Sequence, residues 1–276
     1  MTDDGAPAEV SRTGVQSIDR AVAVLRCFDA RQPELGVRDI ARMTGLSTST
    51  THRLLAAMQA NRLVRQTRER RYGLGPLLVQ LARSGAIPTT LHAAAHSLMT
   101  SLRDGVDETI GLHELLPTGE RVVVEQAESR QELRRTYTDI GVPLPLPQAA
   151  PGKVILSMLP LDRQDRILSR PIAPVTARTV TDPDVLRLEL AEARRKGWLA
   201  SRSERSPGIC AVAAAIFDHT GSVVGALSLS APEIRMEDAR VQDLGERIKS
   251  AAWQISETLG ATRAAVEATI QRAGGS

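Results

Sequence analysis

The chain has 276 residues, 42% of them hydrophobic, a formal net charge of +3 and a pI near 9.2. That length suggests one or two domains with an ordinary core, no apolar run reaches membrane-spanning length, and the N-terminus lacks a signal peptide pattern, so the expected setting is the cytoplasm, with no membrane partner. Aromatic residues at 2% are too scarce for single-strand binding by base stacking, and two cysteines without metal spacing point to a reduced compartment.

Residues 1–14 carry no periodic apolar pattern and read as a mobile tail. Ser17 can cap a helix running to about Asp29, with Ile18, Ala21, Val22, Leu25 and Phe28 on one stripe. Cys27 adjoins that stripe and reads as a buried structural thiol. A short helical pattern over 37–44 ends at Gly45. Ser47 then stands where an N-cap belongs, and a longer helix is predicted to about Asn61. Ile40, Ala41, Leu46, Thr51, Leu54 and Leu55 occupy positions that would pack these helices together with helix-turn-helix spacing. The start of the second helix, Thr48-Ser49-Thr50-Thr51-His52-Arg53, offers short hydrogen-bonding side chains and a cation, the chemistry that reads base edges in a major groove. Residues 63–66, a basic turn over 67–71, and 72–74 read as strand, turn, strand. This is the wing of a winged helix, with arginines placed for a phosphate backbone.

A helix pair with a solvated, charged hairpin would share part of this pattern. The charge distribution argues for DNA. Between residues 38 and 71 stand Arg38, Arg42, Arg53, Arg62, Arg65, Arg68, Arg70 and Arg71 against Asp39 and Glu69 alone, so the basic excess is concentrated there. The candidate contacts to double-stranded DNA are therefore Arg38, Ser47, Thr48, Ser49, Thr50, Thr51, His52 and Arg53 on the helices. Arg65, Arg68, Arg70 and Arg71 are the candidates on the wing.

Gly75-Pro76 starts a helix over 77–84, interrupted at 85–88, after which a second helix runs to about Leu102. His92 and His96 are four apart on it, a spacing that can hold a metal. The sequence offers no evident third ligand, so they read as solvent or interface histidines, with no metal and no cofactor expected. Strands over 109–116 and 121–127 flank a hairpin turn, and 133–138 reads as a third strand. Residues 141–152 contain four prolines and read as a fixed loop. Helices over 153–158, 162–168 and 183–196 follow, then strands over 198–202, 209–217 and 223–230, then one long helix from 236 to about 270. This order predicts an α+β chain with an antiparallel sheet flanked by helices. The expected domains are a tail (1–14), a winged helix-turn-helix (15–75), a linker helix (76–87) and a ligand-binding domain (88–276).

The segments VQSIDRAVAVLRCF, STSTTHRLLAAMQANRLV and YGLGPLLVQLA occur in the first part of the chain. APGKVILSMLP, RRKGWLASRSERSPGI and AVAAAIFDHTGSVVGALSLSAP occur in the second. Together they resemble the isocitrate-lyase-regulator (IclR) family of bacterial transcription factors, in the family's order and spacing. The resemblance implies a winged-helix DNA-binding domain, a linker helix and a GAF-like effector domain. It also implies homodimers or dimers of dimers on palindromic operators, acting as repressors or activators.

It further places a small-molecule pocket on Leu133, Thr136 and Leu144, on Ala150, Pro151 and Gly152, and on Ser201, Ile209, Ala211, Ser228 and Ser230. The residue chemistry agrees. A loop feeding a helix N-terminus at Gly152 exposes backbone N–H groups that favour a carboxylate. Ser228 and Ser230 alternate on a strand, so both hydroxyls face one side, though serines that only satisfy nearby backbone groups would show the same spacing. Three positions depart from the family pattern. Pro147 stands where His is usual, Pro151 removes an N–H from the cradle, and the cysteine is Cys210 rather than the residue at Ala211. These departures predict a pocket more apolar than in relatives of the smallest oxoacids, and a larger or less polar carboxylate effector.

Two other functions compete with that of an effector-controlled DNA-binding regulator. An enzyme could use the loop from Ser206 to Cys210 with His219, but no Gly-x-Ser-x-Gly elbow or phosphate loop appears, and no catalytic residue is assigned. An architectural DNA-binding protein without ligand would not need a proline-rich loop opening onto a helix N-terminus.

Overall fold

The computed structural model describes residues 15–28, 32–84, 90–136 and 140–274, in two compact units that divide after Ile87. The first unit runs α1 (Gln16–Leu25), β1 (Glu34–Leu35), α2 (Val37–Thr44), α3 (Thr48–Ala60), β2 (Val64–Gln66), β3 (Tyr72–Leu74) and α4 (Pro76–Arg83). The strands are antiparallel in the order β1-β3-β2. At the start of α2 the Asp39 carboxylate accepts the Gly36 N–H at 3.3 Å. Gly45, at φ +68°, ends α2 in a left-handed turn and re-aims the chain into α3. Ser47 caps α3, its Oγ accepting the Thr50 N–H at 3.2 Å.

Val24, Phe28, Leu35, Ile40, Leu55, Met58, Val64 and Tyr72 form the core of this unit, with Cys27 beside them. Burial raises the Cys27 pKa, and its thiol donates to the Ala23 carbonyl at 3.3 Å, as a structural thiol should. The buried face of α1 differs from the predicted stripe. Val24 fills the core, whereas Ile18 and Val22 are exposed. The unbroken apolar run from Ala21 to Leu25 leaves the helical phase ambiguous, so packing sets it. The predicted tail over 1–14 and the helix interruption over 85–88 lie outside the described residues.

The second unit runs α5 (Leu91–Val106), β4 (Thr109–Leu115), β5 (Glu120–Ala127), β6 (Pro143–Pro145), α6 (Ala149–Ser157), α7 (Leu161–Leu168) and α8 (Pro183–Lys196). It continues with β7 (Leu199–Arg202), β8 (Ile209–Phe217), β9 (Val223–Pro232), α9 (Asp238–Thr258) and α10 (Arg263–Gly274). Among the described residues six strands form one antiparallel sheet, ordered β6-β5-β4-β9-β8-β7. Two apolar layers cover it. Met99 of α5 and Ile248 and Ile255 of α9 pack with Cys210, Val212, Ala214 and Ile216 on one face. Val154 and Ile155 of α6 and Leu186 and Leu190 of α8 pack with Ala211, Ala213 and Ala215 on the other. β8 is therefore buried on both faces, which explains its continuous apolar run. Cys210 and Ala211 point to opposite layers as predicted, and burial pushes the Cys210 pKa up to about 11.

Three expected elements differ. Residues 133–136 are not a strand. Side chains pin this stretch instead, with Thr109 Oγ1 donating to the Arg135 carbonyl at 2.6 Å and Arg235 Nη1 to that of Leu133 at 3.0 Å; the rest of the predicted strand, 137–138, is outside the described residues. The proline-rich stretch is not all loop. β6 adds a short strand at the sheet edge, where prolines are tolerated because one side of the ladder needs no donors. The long C-terminal helix is two, because Gly260 at φ +86° ends α9 and α10 starts at Arg263. Among the described residues no helix is long and apolar enough to cross a membrane.

Candidate functional site

In the first unit, Ser47, Thr48, Ser49, His52 and Arg53 are exposed, as is Arg38 on α2. The i, i+4 spacing sets Thr48 beside His52 and Ser49 beside Arg53 on one open face of α3. Thr50 is half-buried, its Oγ1 accepting from Ser47 Oγ at 2.8 Å. Thr51 does not belong with them. It is fully buried and its hydroxyl donates one turn back along α3 to the Ser47 carbonyl at 3.0 Å, so it faces the interior and cannot reach a base.

The wing arginines also divide. Arg65 Nη2 donates to Glu34 Oε1 at 3.0 Å and Arg71 Nη2 to the Glu34 carbonyl at 2.6 Å, tying the hairpin to β1. Arg68 and Arg70 stand exposed at the turn, and among the described residues neither has an ion pair.

In the second unit a cavity of about 40 Å³ opens beside the start of α6. Six predicted residues line it: Leu144, Pro151, Ser201, Ile209, Ala211 and Ser230. Leu133 is exposed and Thr136 half-buried, and neither lines it. Ala150, Gly152 and Ser228 are buried behind the wall. A Cβ on Gly152 would lie 2.1 Å from the Leu146 carbonyl oxygen and 2.9 Å from Arg121 Nε, so this glycine permits the chain to pass close to α6.

The expected carboxylate cradle at the helix N-terminus is already served from within the chain. The Ala150 N–H donates to Ser201 Oγ at 2.9 Å, the Ala149 backbone helps hold the Glu204 charge, and Pro151 has no N–H to offer. Ser228 is likewise engaged, 2.9 Å from His113 Nε2.

What the sequence reading missed is the cationic lining: Arg121 from β5, Arg135, and Arg205, with His113 from β4. Arg121 Nη1 lies 3.0 Å from His113 Nδ1. A guanidinium can only donate, so Nδ1 accepts, the imidazole proton sits on Nε2, and Nε2–H donates to Ser228. Burial, reinforced by Arg121 and Arg205, holds the His113 pKa well below 6.5 and keeps the ring neutral. Arg121 is itself buried and donates from Nη2 to the Gln148 carbonyl at 3.3 Å.

Glu204 is the one carboxylate in the lining. Burial raises its pKa, opposed by Lys153. Lys153 is fully buried and places Nζ 2.6 Å from Glu204 Oε1 and 2.7 Å from Glu189 Oε2. Three guanidiniums and one carboxylate thus meet at the cavity, the carboxylate sharing Lys153 with Glu189. The expectation of an apolar pocket left these four polar side chains out. Its warning signs were Arg121 directly before the apolar run Val122-Val123-Val124 and the Ser203-Glu204-Arg205 turn before β8.

The IclR helix-turn-helix domain model matches residues 17–68, and the model of the bacterial transcriptional regulator IclR C-terminal region matches residues 88–257. The chain is 30% identical over 251 residues to the acetate operon repressor of Salmonella typhimurium, covering 90% of this chain and 92% of that one. Among solved structures, the Agobacterium tumefaciens repressor BlcR superposes with a TM-score of 0.64 at 27% identity, covering 91% of this chain and 100% of that one. An IclR homolog from Microbacterium hydrocarbonoxydans complexed with 4-hydroxybenzoate superposes with a TM-score of 0.55 at 27% identity, covering 88% and 98%.

Proposed function

The chain belongs to the IclR family of bacterial DNA-binding transcriptional regulators, and we propose that it couples a small anionic effector in its second unit to operator affinity in its first. The observation that carries this reading is the cavity in which Arg121, Arg135 and Arg205 meet a carboxylate already paired with Lys153. The cavity of about 40 Å³ holds roughly three waters' worth of space. A carboxylate group of about three heavy atoms fits that space, with its charge toward the arginines and the start of its chain against Leu144, Ile209 and Ala211. The 4-hydroxybenzoate of the Microbacterium relative shares the carboxylate but is larger.

On DNA, Ser47, Thr48, Ser49, His52 and Arg53 read base edges, Arg38, Arg68 and Arg70 take phosphates, and Arg65 and Arg71 shape the wing. Val15, Ile18 and Val22 at α1 and Val79 and Leu81 on α4 are large, exposed and apolar. A second copy covering them makes a homodimer that meets the two halves of a palindromic operator, alone or as a dimer of dimers, in the cytoplasm. An effector that binds one arrangement of the dimer better shifts the population, and operator affinity follows by linkage.

The test is thermal unfolding of the full chain with saturating acetate, glyoxylate, pyruvate, succinate or 4-hydroxybenzoate, followed by operator titration with any hit. A short acid should raise the midpoint, and Arg205→Ala should remove that shift. Stabilisation by 4-hydroxybenzoate alone would overturn the size argument, and a shift surviving Arg205→Ala would overturn the site.

A further inference from the structure

Two histidines left without a role by the sequence acquire one in three dimensions. His92 and His96 sit four apart on α5, and their rings stack with centroids 5.8 Å apart and planes inclined by 29°. Glu125, on the β5 strand beneath, meets both. Its Oε1 lies 2.5 Å from His96 Nδ1 and its Oε2 lies 3.1 Å from His92 Nε2. The two contacts are unlike. The first is a hydrogen bond. The second lacks hydrogen-bond geometry, so the buried Oε2 atom has no hydrogen-bond partner among the described residues. One ligand atom from each of the three residues falls within 4.8 Å of the others.

We propose that His92, His96 and Glu125 form a binding site for a divalent first-row transition-metal ion, zinc foremost. Two imidazole nitrogens and one carboxylate oxygen are the donor set of open, three-ligand zinc sites. In such a site donors lie at about 2.0–2.2 Å from the metal and thus roughly 3.4 Å from one another. The His92 contact is already near that spacing, and the exposed rings are free to adjust. Imidazole nitrogens select against calcium and magnesium, which take oxygen cages. The half-exposed histidine side leaves the fourth position to water. The ion would clamp the first half of α5 to β5, on the sheet face opposite the arginine-lined cavity, so it is a separate input to the regulator's second unit.

The site is tested on the tag-free, metal-stripped full chain, with zinc followed by calorimetry and cobalt by its visible absorption. The expected result is one equivalent per chain, with the intense visible bands of low-coordinate cobalt. Glu125→Gln should weaken zinc at least tenfold, and the double variant His92→Ala/His96→Ala should lose it while keeping the unliganded fold. Both histidines are mostly exposed, so their removal leaves the core intact. A wild-type chain that takes up neither metal at millimolar concentration would reduce the trio to an ion pair and end the proposal. Unchanged uptake by the double variant would place the ion elsewhere and end it equally.

Discussion

Lowering the pH should destabilise the second unit through His113 in particular. The folded chain holds this imidazole neutral, with its pKa well below 6.5, because it is buried and flanked by Arg121 and Arg205. The unfolded chain binds a proton there below about pH 6.5 while the folded chain does not. The stabilisation is therefore fully present above pH 6.5 and is lost as pH falls toward the folded pKa. Between pH 7.5 and 5.5, one such group removes about 1.4 kcal/mol. The assay is urea unfolding at pH 7.5, 6.5 and 5.5, at fixed protein concentration, read by tryptophan fluorescence. Trp198 and Trp253 both lie in the second unit, so the signal reports that unit alone. His113→Gln cannot titrate. It should be less stable at pH 7.5 yet lose about 1.4 kcal/mol less on acidification. Equal acid losses in the two proteins would refute the assignment, as would a His113 resonance that titrates near pH 6.5.

Other substitutions separate roles that the sequence alone merges. Thr51→Ala removes a buried 3.0 Å hydrogen bond and should cost the first unit about 1–2 kcal/mol in thermal unfolding; Thr48→Ala should leave stability alone and change the preferred bases in an operator selection. The reverse pattern would put Thr51 at the DNA. Arg68→Ala should weaken binding to all sequences alike and lower the slope of log affinity against log salt by about 0.9, the value for one phosphate contact. An unchanged slope would take Arg68 off the backbone. Gly152→Ala puts a methyl 2.1 Å from the Leu146 carbonyl and should cost about 3 kcal/mol in urea unfolding of the second unit. A wild-type midpoint would show that the chain near Leu146 yields freely.

The helix-turn-helix was legible because each of its boundaries carries a local signal. Gly45 tolerates the positive φ that ends α2, and Ser47 accepts the N–H that opens α3. Where no local signal exists, pattern fails: the apolar run in α1 gives no phase, and Val24 is inward only because tertiary packing puts it there. The split between α9 and α10 is different, because its signal was present. Gly260 takes the left-handed turn, and Thr262 Oγ1 accepts the Ala265 N–H at 3.3 Å, a stop followed by a start. A long apolar period on both sides masked them.

The pocket shows a deeper limit. Ser201, Ile209, Ala211 and Ser230 were within reach because the resemblance to the family assigns positions along β7, β8 and β9, and they do line the cavity. The arginines were not. Arg121 comes from β5, Arg135 from a stretch with no regular structure, and Arg205 from the turn between β7 and β8, so only the sheet order brings them together. The same order sets β4 between β5 and β9, which lets His113 bridge Arg121 and Ser228. Judging polarity from Pro151, Cys210 and Ala211 weighed only α6 and β8. The polarity depends on charges that the rest of the sheet delivers. Lys153, the cation of α6 itself, is turned onto Glu204 and Glu189. Two chains alike along α6 and β8 can therefore prefer opposite ligands, and the residues at 121, 135 and 205 should separate them.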